Sequence, residues 1–148
     1  MCYIDRMHIR LATDNDEADI TAFSAAEWPS ADAEHFGRAD VSFEKKTYTF
    51  LAYTDTQLIG YCTIETDMGV CYVDSIITAA AARGSGVGKA LMQRAEEKAV
   101  SENCHKMYLI TGTDWSAKAF YESLGYTTLV TLKNHYDHKD FVYMEKFM

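Results

Sequence analysis

With 148 residues, 48% of them hydrophobic and 13% aromatic, the chain is expected to form one globular domain, 1–148, that buries roughly 70% of its unfolded surface. A formal net charge of −8 argues against holding nucleic acid or an anionic membrane by bulk electrostatics, and favours cationic partners such as amines. Asp5, Arg6 and Arg10 interrupt the first residues and no apolar run is long enough to span a bilayer, so no signal peptide or membrane segment is expected and the location is read as cytoplasmic.

In chain order, Met7 to Thr13 alternates as a first strand and ends at Asp14, whose spacing to Glu17 makes a capping box for a helix to about Glu27. Trp28-Pro29, with the only proline, is expected to break that helix, and a second helical or irregular piece runs from Ala31 to about Lys45. Thr47–Tyr53 and Leu58–Thr66, rich in β-branched and aromatic residues, flank a polar turn as a hairpin, and Val70–Thr78 follows Asp67-Met68-Gly69 as a third strand. Val87, Leu91, Ala95 and Ala99 share one face of a helix. Lys106–Thr111 is then a strand completing a right-handed parallel crossover. A short helix capped by Asp114 puts Ala117, Phe120, Tyr121 and Leu124 on one face and stops at Gly125; Tyr126–Leu132 and Phe141–Phe147 close the chain as strands. Cys2, Cys62, Cys71 and Cys104 form no C-x-x-C pair and are expected to be reduced and buried, although Cys62 and Cys71 could face each other across a hairpin.

The chemistry concentrates between Asp74 and Leu91, a buried strand, a loop and a glycine-punctuated helix start. Gly84, Gly86 and Gly88 leave backbone N–H groups unshielded, the helix beginning near Val87 aims its dipole and free donors at the loop, and Arg83 and Lys89 add two cations. A multi-oxygen anion such as a pyrophosphate would satisfy them together. A P-loop is excluded, because Ala90 follows Gly88-Lys89 and Arg83 occupies the place of the first glycine. A dinucleotide fingerprint fails too, since Lys89 stands where its third glycine belongs.

What remains, Arg83-x-x-Gly86-x-Gly88, resembles the R/Q-x-x-G-x-G/A loop of the GNAT superfamily of acyl-CoA-dependent N-acetyltransferases. Ala117-Lys118-Ala119-Phe120-Tyr121-Glu122-Ser123-Leu124-Gly125-Tyr126 is similar to that family's A-x-x-F-Y-E-K-L-G-F segment, and the hairpin with Gln57-Leu58-Ile59-Gly60 is similar to its second and third strands. The resemblance covers roughly Met7 to Met148. It implies an α/β fold with a mixed, mostly antiparallel sheet of six or seven strands, about four flanking helices, and a splayed central parallel pair that receives acetyl-CoA. It also implies a cofactor site at Ile76, Ile77, Thr78, Arg83, Gly84, Ser85, Gly86, Val87, Gly88, Lys89, Asp114 and Phe120, with no metal, and family habit points to a homodimer. Two departures stand out: Ala80 where the family commonly has Pro, and Asp114 where Asn is common, so that Asp114 reads equally as a helix cap.

Attack of an amine on a thioester needs a neutral amine, a polarised carbonyl and a proton for the departing thiolate. Tyr121 matches the family tyrosine that supplies the proton, and its alternative reading is a core aromatic. Asp74 takes the strand position where relatives place a carboxylate facing the acceptor, and is the candidate base or ammonium attractor; Glu65 and Asp67 are lesser candidates. Backbone N–H groups around Ile76 to Thr78 would polarise the carbonyl and pair with pantetheine. Trp28, His35, Phe36 and the loop 134–140 fall where the family shapes its acceptor pocket, and His135, Asp137 and His138 read as a solvated turn rather than a metal site. The expected activity is acetyl transfer from acetyl-CoA to a primary amine of a small molecule or peptide in a ternary complex, without an acyl-enzyme because no cysteine stands beside the motifs. A non-catalytic acyl-CoA sensor and a general nucleotide-binding module are the competing readings.

Overall fold

The computed structural model describes residues 7–148, so Cys2 lies outside it. The chain divides into two compact units, Met1–Ser42 and Phe43–Met148.

In the first unit, residues 7–13 carry no strand, so the expected first strand is absent. Its alternating residues find no ladder partner among the described residues, and periodicity alone does not make a strand. The backbone N–H of Thr13 donates to Asp16 Oδ2 (2.7 Å) at the entry to α1, Glu17–Phe36. This capping box joins Thr13 to Asp16, one residue before the expected Asp14–Glu17 box, and α1 itself starts from Asp16 as its N-cap. Pro29 lies inside α1 and does not end it. Proline forfeits one i→i−4 hydrogen bond, but helical residues continue on both sides, and the stop comes at Gly37, whose φ of 72° lets its N–H return to Ala33 O (3.1 Å). The two expected helical pieces are thus one, and the described chain has three α-helices rather than about four.

The second unit is a six-stranded sheet with the elements β1 (Lys46–Thr54), β2 (Gln57–Asp67), β3 (Val70–Thr78), α2 (Val87–Ser101), β4 (Lys106–Gly112), α3 (Ser116–Ser123), β5 (Thr127–Leu132) and β6 (Phe141–Phe147). The strand order is β1-β2-β3-β4-β6-β5, and every neighbouring pair is antiparallel except β3 with β4. The mixed, mostly antiparallel α/β fold expected from sequence is the one observed. Cys62 pairs with Ile76 and Cys71 with Thr66, so the two cysteines do not face each other; with Cys104 they are free and buried.

Alternation decides which face is covered. Ile64, Cys71, Val73, Met107, Leu109, Val142 and Met144 are buried with Leu91, Met92, Ala95 and Ala99 of α2 and with Tyr121 and Tyr126, forming the core. Charged ties fix α2 at both ends of the sheet. Glu102 accepts from Lys98 (2.7 Å), Tyr48 (2.8 Å) and Lys46 (3.1 Å), and Lys146 of β6 donates to both oxygens of Glu96 (2.8 Å). Lys98 first, then Tyr48 and Lys46, hold the Glu102 carboxyl down to about 2.

Replacing fully buried Leu109 by Ala is expected to lower unfolding free energy by about 2–5 kcal/mol, read from the urea midpoint at unchanged slope. Because the folded pKa of Glu102 lies below its ordinary 4.5, its contribution is present above that pH and is lost as pH falls towards about 2. Glu102→Gln should therefore flatten the loss of stability across this acid window, followed by thermal unfolding at stepped pH.

Candidate active site

The site begins where two parallel strands stop pairing. β3 and β4 are in register only from Val70↔Lys106 to Tyr72↔Tyr108. On the other side of β3, Thr63 pairs with Ser75 and Ile64 with Val73, leaving Asp74 as an extra residue in a β-bulge. A bulge bends its strand and increases local twist, which takes β3 away from β4 just past their last pair. From Val73 onward the β4-facing backbone groups of β3 have no ladder partner among the described residues.

A cleft of about 560 Å³ lies along this opening. It brings together Ile76, Ile77 and Thr78 of β3, Arg83, Gly84 and Gly86 of the loop, Gly88 and Lys89 of α2, and Phe120 and Tyr121 of α3. Ala82, Ser116, Ala117, Ser123 and Leu124 also line it. These five lie outside the expected cofactor set; Ser116, Ala117, Ser123 and Leu124 share α3 and its C-cap with Phe120 and Tyr121, and that helical spacing is their signal, whereas Ala82 ends the short turn before Arg83. Asp74, Ser85, Val87 and Asp114 are not part of the lining. Ser85 turns its hydroxyl to Ala82 O (2.7 Å), Val87 packs against the core, Asp74 sits exposed in the bulge, and Asp114 is exposed in the turn before α3. The α3 N-cap is Trp115 rather than Asp114. Its ring folds over Gly112, where any Cβ would lie 2.9 Å from it, so only glycine lets β4 end in this turn.

Gly84 (φ 77°) and Gly86 (φ 92°) take left-handed conformations that an L side chain resists, and Gly86 is the N-cap of α2. The first helical bond runs from Ala90 N–H to Gly86 O (3.0 Å), so the N–H groups of Val87, Gly88 and Lys89 meet no acceptor among the described residues. Charge points the same way. Most described lysines and arginines hold a carboxylate within 4 Å; Arg83, Lys89 and Lys139 do not. Two of these three free cations flank the cleft, in a chain whose net charge is −8.

At the inner wall stands Tyr121, 6% exposed, with Phe120 at 5.2 Å and Tyr126 at 5.9 Å between ring centroids. Burial pushes its phenol up to about 12, so it remains protonated through neutral pH. Its hydroxyl has no hydrogen-bond partner among the described residues.

The sequence model of the Acetyltransferase (GNAT) family matches residues 12–126. The chain belongs to the GNAT acetyltransferase family. It is 30% identical over 113 residues to the Bacillus subtilis (strain 168) protein YdhI, covering 69% of this chain and 68% of that one. An acetyltransferase from Bacillus cereus ATCC 14579 superposes with a TM-score of 0.72 at 15% identity, covering 96% of this chain and 98% of the other. A proposed streptothricin acetyltransferase from Bacillus anthracis str. Ames, solved in complex with acetyl coenzyme A, superposes with a TM-score of 0.65 at 22% identity, covering 69% and 62%. GNAT enzymes use acetyl-CoA, and this cleft fits such a ligand on its own terms. Its volume suits a small-molecule site, its mouth offers free N–H groups and two free cations for a pyrophosphate, and its floor is a strand edge open to an amide-bearing arm.

Gly86→Ala is expected to cost about 1–2 kcal/mol of stability, because φ stays left-handed. At Gly88 the backbone is helical and an added methyl meets Phe120 Cζ at an ordinary 3.4 Å, so Gly88→Ala should be neutral or stabilising by up to about 1 kcal/mol. Denaturant titration of both variants reads the difference.

Proposed function

We propose that this GNAT acetyltransferase moves the acetyl group of acetyl-CoA to the nitrogen of a primary amine by direct attack in a ternary complex. Arg83, the α2 N-terminus and Lys89 take the pyrophosphate, and the open edge of β3 at Ile76–Thr78 pairs with the pantetheine arm and polarises the thioester carbonyl. The amine nitrogen forms the new C–N bond as the C–S bond breaks. The ammonium proton passes to Asp74, directly or through water, and the Tyr121 hydroxyl gives its proton to the leaving sulfur. A phenol at about 12 is a weak donor to a thiolate whose acid is near 8.5, so transfer is concerted with C–S cleavage rather than preceding it.

The observation that carries this reading is the alignment along one cleft of unsatisfied donors and unpaired cations at the mouth with a protonated, unbonded tyrosine hydroxyl at the inner wall. One feature favours the sensor alternative: Asp74 stands outside the cleft lining.

Amine-dependent release of CoA thiol from acetyl-CoA separates the two. Tyr121→Phe should lower kcat on the order of a hundredfold while CoA affinity, measured by calorimetry, changes less than about twofold. Equal turnover in the variant would reduce Tyr121 to a core aromatic, and CoA binding without release for any amine would favour the sensor.

A further inference from the structure

The sheet face turned away from α2 carries a row whose chemistry matches a particular acceptor. Register sets Glu65 opposite Tyr72, Tyr72 opposite Tyr108, and Tyr108 opposite Glu145, so one line across four strands reads carboxylate, tyrosine, tyrosine, carboxylate. The Tyr72 and Tyr108 rings lie 5.1 Å apart, and Tyr108 stacks on Tyr143 at 5.3 Å. Each end carboxylate holds a lysine: Lys45 Nζ is 2.7 Å from Glu65 Oε2, and Lys106 Nζ is 3.2 Å from Glu145 Oε2.

The two ion pairs are not equivalent. The Lys106 side chain is 24% exposed and belongs to β4, whereas Lys45 is 59% exposed and precedes β1, outside the ladder. Its charge is favoured first by the Glu65 hydrogen bond and then by the fields of Glu65, Asp74 and Tyr108, so this primary ammonium is surrounded by the groups an alkylammonium ligand seeks. Asp74 carries no ion pair among the described residues. It lies two residues along β3 from Tyr72, and at about 3.3 Å per residue and about 4.8 Å between strands the Glu65 and Asp74 backbones are roughly 8 Å apart.

We propose that the acceptor is a dicationic alkyl amine, its reacting nitrogen at Asp74 beside the β3–β4 opening and its remote ammonium displacing Lys45 from Glu65 against the Tyr72–Tyr108 pair. This rests on the N-acetyltransferase reading above. Lys45 acts as a placeholder: an exposed lysine–carboxylate pair adds little stability, so a ligand ammonium replaces it at little cost and without leaving Glu65 unpaired. The tyrosine rings accept the cation and the alkyl stem together.

The test compares diaminobutane with aminobutanol, which carries a hydroxyl in place of the second ammonium, in CoA-thiol release at saturating acetyl-CoA. The wild-type kcat/KM ratio should favour the diamine by about tenfold or more. Glu65→Gln should bring that ratio close to unity, and Lys45→Ala, which removes the competing cation, should raise it. If Glu65→Gln does not fold, the wild-type ratio and Lys45→Ala decide. A ratio near unity in the wild type, or one unmoved by either substitution, overturns the dicationic acceptor alone. Tight CoA binding with no release for either amine overturns the enzyme reading and this inference with it.

Discussion

Two parallel strands that pair over three residues and then separate leave backbone donors and acceptors facing a gap, and such groups are costly unless something satisfies them. The gap opens because Asp74 bulges from β3, and it persists because each strand is held from its other side, β3 by β2 and β4 by β6. The sheet therefore tolerates an interior edge. That edge, rather than any one side chain, makes room for an extended ligand, and it fixes where the loop 79–86 and the start of α2 must lie.

Electrostatics adds selectivity to that opening. Isolated surface ion pairs such as Arg38–Asp40 or Arg94–Glu97 contribute little each, and the apolar core under α2 carries most of the stability. Their arrangement matters in another way. Among the described residues, acidic side chains neutralise most of the lysines and arginines locally, and of the three left free, Arg83 and Lys89 lie beside three N–H groups without an acceptor, while Lys139 is not part of the cleft lining. Deeper in, burial raises the Tyr121 phenol and keeps its proton, so one cleft has cationic side chains and free N–H groups at its mouth and a protonated phenol within.

Much of the second unit was legible in the chain. β-Branched and aromatic residues between polar turns in Thr47–Tyr53, Leu58–Thr66 and Val70–Thr78, and the four-residue spacing in α2, placed strands and helix close to their observed bounds, because such side chains suit a pleated, half-buried surface and burial on one face sets the helix period. The loop before α2 was legible since only glycine readily takes the backbone of positions 84 and 86. Other features left no mark. The bulge at Asp74 interrupts an apolar run with neither Gly nor Pro, Pro29 was outweighed by helix-compatible neighbours and the stop at Gly37, and the Met7–Thr13 pattern has no partner strand among the described residues. Cross-strand rows such as Glu65, Tyr72, Tyr108 and Glu145 depend on register between distant segments, which no local window contains.

The most direct test of the central claim, that the β3–β4 opening and the α2 N-terminus form one acyl-CoA cleft, is residue-resolved amide hydrogen exchange with and without acetyl-CoA. Slowed exchange at both Ile76–Thr78 and Gly84–Lys89 is the expected result, with the edge strand β5 unchanged. Protection confined to other segments, or none at saturating acetyl-CoA, would contradict it.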